Sequence, residues 1–137
     1  MMTDKFLTYR VAENPESTVE QFVSAIAARN LIQYGVVDHR HDMAQRGVND
    51  PPWAYTVIFG NPAAGAQFMK VTPTVVTDMP IRVGIYGDVD HTEIVYHKME
   101  DLLMLHDERL RPAGAAADRL VALLCEEVGA NPGTPNA

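Results

Sequence analysis

The side chains that could do chemistry are few. Five imidazoles are present, at His39, His41, His91, His97 and His106. Serine occurs only at Ser17 and Ser24, both near the first expected helix, so no Ser/His/Asp nucleophile pattern can be drawn. Cys125 is the single thiol, which excludes an internal disulfide and a cysteine-based zinc site. His39 and His41 are two residues apart, so on an extended chain their rings share one face and could chelate a metal. Two ligands of that kind are equally what an exposed loop offers by accident.

Asn61 precedes Pro62 at an expected helix start. Free N–H groups there favour an anion, but an asparagine in this position more often caps the helix, worth about 1 kcal/mol. No phosphate loop accompanies it, because no glycine run is followed by Lys-Ser or Lys-Thr. Met43, Met69, Met79, Met99 and Met104 are adaptable enough to line a pocket and equally suited to filling a core. Trp53 beside Pro51-Pro52 is a candidate lid, dimer contact or loop-packing residue. His91 falls in an expected turn, and His97 ends an expected strand.

The elements that must position these residues centre on Ala54–Lys70. Tyr55, Val57 and Phe59 alternate with Thr56 and Ile58, as in a strand with a buried face. Gly60 ends that run, and Asn61-Pro62 opens a short helix. Upstream, Lys5–Val11 reads as the first strand. A helix follows, and Ser17 with Glu20 has capping-box spacing and is its expected start, ahead of Asn14-Pro15. Its apolar stripe is Val19, Phe22, Val23, Ile26 and Ala27, and Asn30 takes the left-handed position after it. Leu31–Val37 is the second strand, with Ile32, Tyr34 and Val36 on one side. Met43–Gly47 fits a single helical turn.

Downstream, Val71–Asp78 reads as irregular or extended. Ile81–Tyr86 and Thr92–His97 form a hairpin around Gly87–His91. Met99–Arg109 is expected to be helical. A helix from Pro112 carries Ala113, Ala116, Ala117, Leu120, Val121, Leu124 and Val128 on one face, with Cys125 off that stripe. Gly129 ends it. Residues 1–129 make one domain, and 130–137, rich in Pro, Gly and Asn, are expected to be a disordered tail. This order predicts an α+β fold, an antiparallel or mixed sheet with helices packed on one face.

Composition narrows the partners. The 137 residues are 47% hydrophobic, enough for one domain with a real core. A formal net charge of -7 argues against nucleic acid. No apolar run approaches the roughly 20 residues of a membrane span, so no membrane is expected. Met1–Arg10 lacks the apolar core of a signal peptide. With one cysteine, these features point to a cytoplasmic protein.

Asp38-His39, Ile58-Phe59-Gly60-Asn61-Pro62, Gly65, Phe68-Met69, Met79-Pro80 and Tyr96 resemble, in order and spacing, the bacterial and archaeal family called domain of unknown function 302. The resemblance runs from Lys5 to His106, and the Gly-Asn-Pro element with the later apolar-Pro pair is its specific part. It implies a TATA-binding-protein-like fold without DNA binding: a strand, a helix, four strands and a closing helix, here with extra short helices, often as a homodimer. Members tend to carry Arg-His where Leu105-His106 stands, so the His is kept and the Arg is lost. Branches of the family place a Cys where this chain has Gly60 or Ile81, so no thiol role carries over. Glycine usually stands where His91 does, and after the first helix where Asn30 does.

Because His39 and His106 match family positions, they are the imidazole pair to examine. Facing one cleft with Asp38 or Asp42, they would resemble a divalent-metal or acid–base site. The competing assignment is a strand-end cap for His39 and a helix-surface position for His106. The expected function is a homodimer binding a small apolar or amphipathic ligand, with Asp38, His39, His106 and Asn61 at the pocket. The first alternative is a metal- or haem-binding protein, or a metal-dependent enzyme, using His39, His41 and His106. The second is a structural dimer that binds a protein partner.

Overall fold

Residues 5–133 are described by a computed structural model. Strand β1 (Phe6–Val11) leads to α1 (Pro15–Ala28), then β2 (Ile32–Asp38), α2 (His39–Gln45), β3 (Trp53–Gly60) and α3 (Pro62–Val71). A 3-10 segment, Pro73–Asp78, precedes the hairpin of β4 (Ile81–Gly87) and β5 (Thr92–His97). The chain closes with α4 (Met99–Met104), a 3-10 turn at Glu108–Leu110, α5 (Arg111–Glu127) and the short β6 (Asn131–Pro132). The six strands form one sheet in the order β2-β3-β4-β5-β1-β6, and every neighbouring pair is antiparallel.

Alternation along the strands decides the layering. Tyr55, Val57 and Phe59 on β3, Val83 and Ile85 on β4, and Ile94 and Tyr96 on β5 all point to one face and are buried. They pack with Phe22 and Ile26 of α1 and Val121, Leu124 and Cys125 of α5 in one core cluster. Phe22 meets Phe59 edge-on, with ring centroids 5.8 Å apart. A second cluster of Val75, Met99, Leu103 and Leu110 anchors the 3-10 segment against α4. The result is an α+β fold with its main helices against one sheet face, an arrangement compatible with the TATA-binding-protein-like expectation.

Several local expectations are corrected. Helix α1 begins at Pro15, because Asn14 caps it, its side chain accepting from Ser17 N at 2.8 Å. Proline at the first helical position has a preset φ and no N–H to satisfy, so Asn14-Pro15 outcompetes Ser17. Ala25 is buried where Ala27 was expected. Helix α2 starts at His39 instead of Met43, because Asp38 Oδ1 accepts from His41 N at 2.9 Å. Residues 71–78 are helical except at Thr72, which is extended between the end of α3 at Val71 and the 3-10 segment Pro73–Asp78. The Met99–Arg109 helix breaks after Met104. Cys125 is fully buried, the stripe of α5 being wide enough to include it. Asn131–Pro132 pair with Tyr9 and Arg10 of β1, so the chain after Gly129 is ordered there, while 134–137 lie outside the described residues. Asn30 (φ 58) and Gly129 (φ 76) take the left-handed positions read for them.

Candidate functional site

A cavity of about 390 Å³ lies where β3 turns into α3. The turn builds its floor. Gly60 ends the strand, and Asn61 Oδ1 accepts from Ala63 N at 3.0 Å and Ala64 N at 3.4 Å, with Pro62 at the first helical position. One wall is Ala64, Gly65 and Phe68 of α3. A second is Met79, Pro80 and Ile81, where a cis Met79–Pro80 bond leads into β4. The α5 wall is Ala113, Ala116, Ala117 and Leu120, with Met99 of α4 beside it. Tyr34 of the edge strand β2, with Asn61 and Gln67, supplies side-chain polar atoms. The volume falls within the 300–1,000 Å³ usual for small-molecule sites, and carbon dominates the lining.

Two contacts fix α5 against α4. Gly114 sits on the first turn of α4, where an added Cβ would lie 2.5 Å from Glu100 Cα and 2.7 Å from Met99 O. One turn on, Asp118 Oδ1 accepts from Tyr96 O–H and from Met99 N, both at 2.8 Å, and Oδ2 accepts from Glu100 N at 3.2 Å. Asp118 therefore caps α4 from another helix, replacing the side-chain cap that Lys98 does not provide. Burial raises the Asp118 carboxyl above its ordinary value, only partly offset by these three hydrogen bonds. Burial, then the adjacent Asp118 charge, pushes the Tyr96 phenol far upward, so Tyr96 stays a donor.

Of the residues expected at the site, Asn61 lines the cavity, while Asp38, His39 and His106 do not. Asp38 spends its carboxylate capping α2. His39 Nε2 is 2.7 Å from Thr56 Oγ1, a residue that alternates with the inward-facing Tyr55 and Val57 and so belongs to the opposite sheet face. His41 is exposed on α2. His106 is held between Thr74 Oγ1 (2.8 Å from Nδ1) and Asp78 Oδ2 (2.6 Å from Nε2). Among the described residues, no three His, Cys, Asp or Glu side chains cluster to hold a metal ion, so His39, His41 and His106 are not gathered as a ligand set.

The remaining imidazoles serve locally. His91 Nδ1 is 3.1 Å from Asp88 Oδ1 in the hairpin turn, and the His97 ring meets Phe6 edge-on. Trp53 carries the Arg40 guanidinium over its ring at 4.1 Å. Of the five methionines considered, Met79 and Met99 line the cavity, whereas Met69 and Met104 are exposed. The residues missed from sequence are Tyr34, Gln67 and the alanines of α5 at the cavity, and Thr74 and Asp78 around His106. The apolar run Ala113–Ala117 was the available signal for the first group.

One antiparallel sheet backed by helices, with a cleft at its strand-to-helix turn, defines a small α+β domain. The chain belongs to the family described as domain of unknown function DUF302, whose sequence profile matches residues 7–126. The crystal structure of an uncharacterised conserved DUF302 protein from Bacillus stearothermophilus is similar, with a TM-score of 0.82 at 16% identity. The match covers 90% of this chain and 98% of that one. At that identity the likeness concerns the fold alone. No curated protein matches the chain. Among the described residues no helix is long and apolar enough to cross a membrane.

Proposed function

We propose that this protein is a cytoplasmic homodimer that binds a small apolar or amphipathic molecule in the cavity between α3, α5 and the sheet. One observation carries the reading: a 390 Å³ cleft with an almost wholly apolar lining opens at the Asn61-capped turn from β3 into α3. Water in such a cleft finds few hydrogen-bond partners, so displacing it with carbon is favourable. The polar atoms suit a ligand with one polar end. Asn61 uses Oδ1 for its helix and leaves its amide N–H groups to donate, and Tyr34 and Gln67 stand with it.

Dimerisation is supported by β2. It is an edge strand whose Ile32, Tyr34 and Val36 are 45%, 53% and 36% exposed, with no lysine or proline along it to discourage pairing. Pairing there would cover apolar surface and tie Tyr34, and with it the cavity, to the partner. A free buried Cys125 is in keeping with a reducing compartment.

Titration with the neutral fluorophore N-phenyl-1-naphthylamine, followed by displacement with medium-chain alcohols and fatty acids, tests the binding. Saturable one-site binding with a rise in melting temperature is expected. No saturable binding and no thermal shift with any of these compounds would refute it. Sedimentation equilibrium should give a dimer that Tyr34→Lys dissociates; a monomer at all concentrations removes the dimer while leaving the binding test standing.

A further inference from the structure

Thr74, His106 and Asp78 stand in the order hydroxyl, imidazole, carboxylate. Thr74 Oγ1 is 2.8 Å from His106 Nδ1, and His106 Nε2 is 2.6 Å from Asp78 Oδ2. The hydrogen positions follow from what each group can do. An ionised carboxylate only accepts, so Nε2 carries the ring hydrogen. In the neutral ring that a general base requires, Nδ1 is then a bare acceptor, and Thr74 donates to it. Thr72 Oγ1, 3.0 Å from Thr74 Oγ1, donates in turn to Thr74. The chain of donors therefore runs one way, from Thr72 through Thr74 and His106 to Asp78.

The surroundings hold this row still and leave its first member open. Val75, fully buried, pins the 3-10 segment to α4, and Thr77 Oγ1 bonds back to Thr74 O at 3.0 Å. The His106 and Asp78 side chains are 13% and 22% exposed, whereas Thr74 is exposed. A shielded base beside an open hydroxyl, oriented by a third group, is the arrangement that activates a nucleophile.

We propose that Thr74 is an acyl-acceptor site, with His106 as its general base and Asp78 as the positioning residue. The substrate class is small activated acyl donors, such as aryl esters, thioesters and acyl phosphates. Thr74 lies on open surface outside the cavity at α3, so the donor must bring its own activation, and amides are left intact. In the step, Thr74 Oγ1 bonds to the carbonyl carbon and its proton passes to His106 Nδ1. The bond from that carbon to the leaving group then breaks, and the proton leaves with the departing group or to solvent. Water, deprotonated by the same ring, hydrolyses the ester and frees the acid and the threonine.

Incubation of the full chain with p-nitrophenyl acetate, quenched over time and mapped by peptide mass spectrometry, tests this. Acetyl on Thr74 with matching release of p-nitrophenolate is expected. His106→Gln should slow Thr74 acetylation about 100-fold, and free imidazole should restore it in His106→Gly. Asp78→Asn should slow it, with Asp78→Glu recovering part of the rate, a pattern that a purely structural tie would not produce. Acetyl found only on lysines, or Thr74 acetylated within threefold of the original rate in His106→Gln, overturns the proposal. The adduct map of the unaltered chain decides whether Thr74 reacts, so an unfolded variant cannot leave the matter open.

Discussion

Replacing Ala116 with leucine should raise stability and weaken ligand binding at once. Ala116 lines the α5 wall of the cavity and is exposed there, so a longer side chain has room. Leucine adds three carbons. At about 0.8 kcal/mol for each buried methylene-sized group, full burial contributes about 2 kcal/mol. Ordering the leucine side chain costs about 0.5–1 kcal/mol. The net gain is about 1 kcal/mol, a rise of about 3–4 °C in melting temperature for a chain of this size. A ligand excluded from the same three carbon positions loses about 2.4 kcal/mol, or about 50-fold in affinity. Urea melts of the free protein and titration with N-phenyl-1-naphthylamine read the two effects separately. If the probe sat on a flat apolar surface, an added leucine would strengthen its binding and leave stability unchanged or lower. Affinity within threefold of the parent would show that the cavity is not the binding site.

Asp118→Ala removes the cap of α4 and orphans the buried Tyr96 hydroxyl, so urea denaturation should show a loss of about 2–4 kcal/mol. In a double-mutant cycle with Tyr96→Phe the two losses should fall short of additivity by at least about 0.5 kcal/mol; strict additivity refutes the coupling. Gly114→Ala gains about 1 kcal/mol of helix propensity, but its Cβ meets backbone atoms at 2.5–2.7 Å that no rotamer change can move. Overpacking of about 1–3 kcal/mol offsets that gain, for a net loss of up to about 2 kcal/mol by the same assay. Burial pushes the Cys125 thiol up to about 12, against 9.0 when unperturbed. Between those values the unfolded chain has lost a proton that the folded one keeps, so stability is full below pH 9 and falls by about 1.4 kcal/mol per pH unit above it. Cys125→Ala should remove that part of the slope. The raised phenols of Tyr9, Tyr55 and Tyr96 act in the same direction above pH 10.

What could be read from sequence was what neighbouring residues decide. Tyr55, Val57 and Phe59 alternate into the core because β3 is central, and Asn61-Pro62 starts α3 because both residues suit a helix entry. The hairpin and the closing helix were legible for the same reason. Local competition explains the shifts: Asp38 could end β2 or cap a helix, and its bond to His41 N turned His39-Arg40-His41 from an extended pair of rings into a helical turn. The site itself depends on distant pairings. His106 meets partners 32 and 28 positions upstream, and His39 meets Thr56 on β3. Nothing in the sequence around Thr74 marks its hydroxyl as the partner of an imidazole 32 positions away.

The alanines of α5 lie on the apolar face read from the sequence, and they leave a gap there. Gly114 and Asp118 fix α5 against α4 through backbone contact and a shared cap, so the position of that helix owes nothing to whatever fills the cleft. From that fixed axis Ala113, Ala116 and Ala117 are too short to close the space towards Phe68 and Ala64 of α3. Larger apolar residues at those positions would close it without moving the backbone, and by the arithmetic for Ala116 they would add stability. The gap is thus a matter of side-chain choice and not of strand or helix geometry. The space left beside that exposed alanine has the size and apolar lining that the proposed ligand would require.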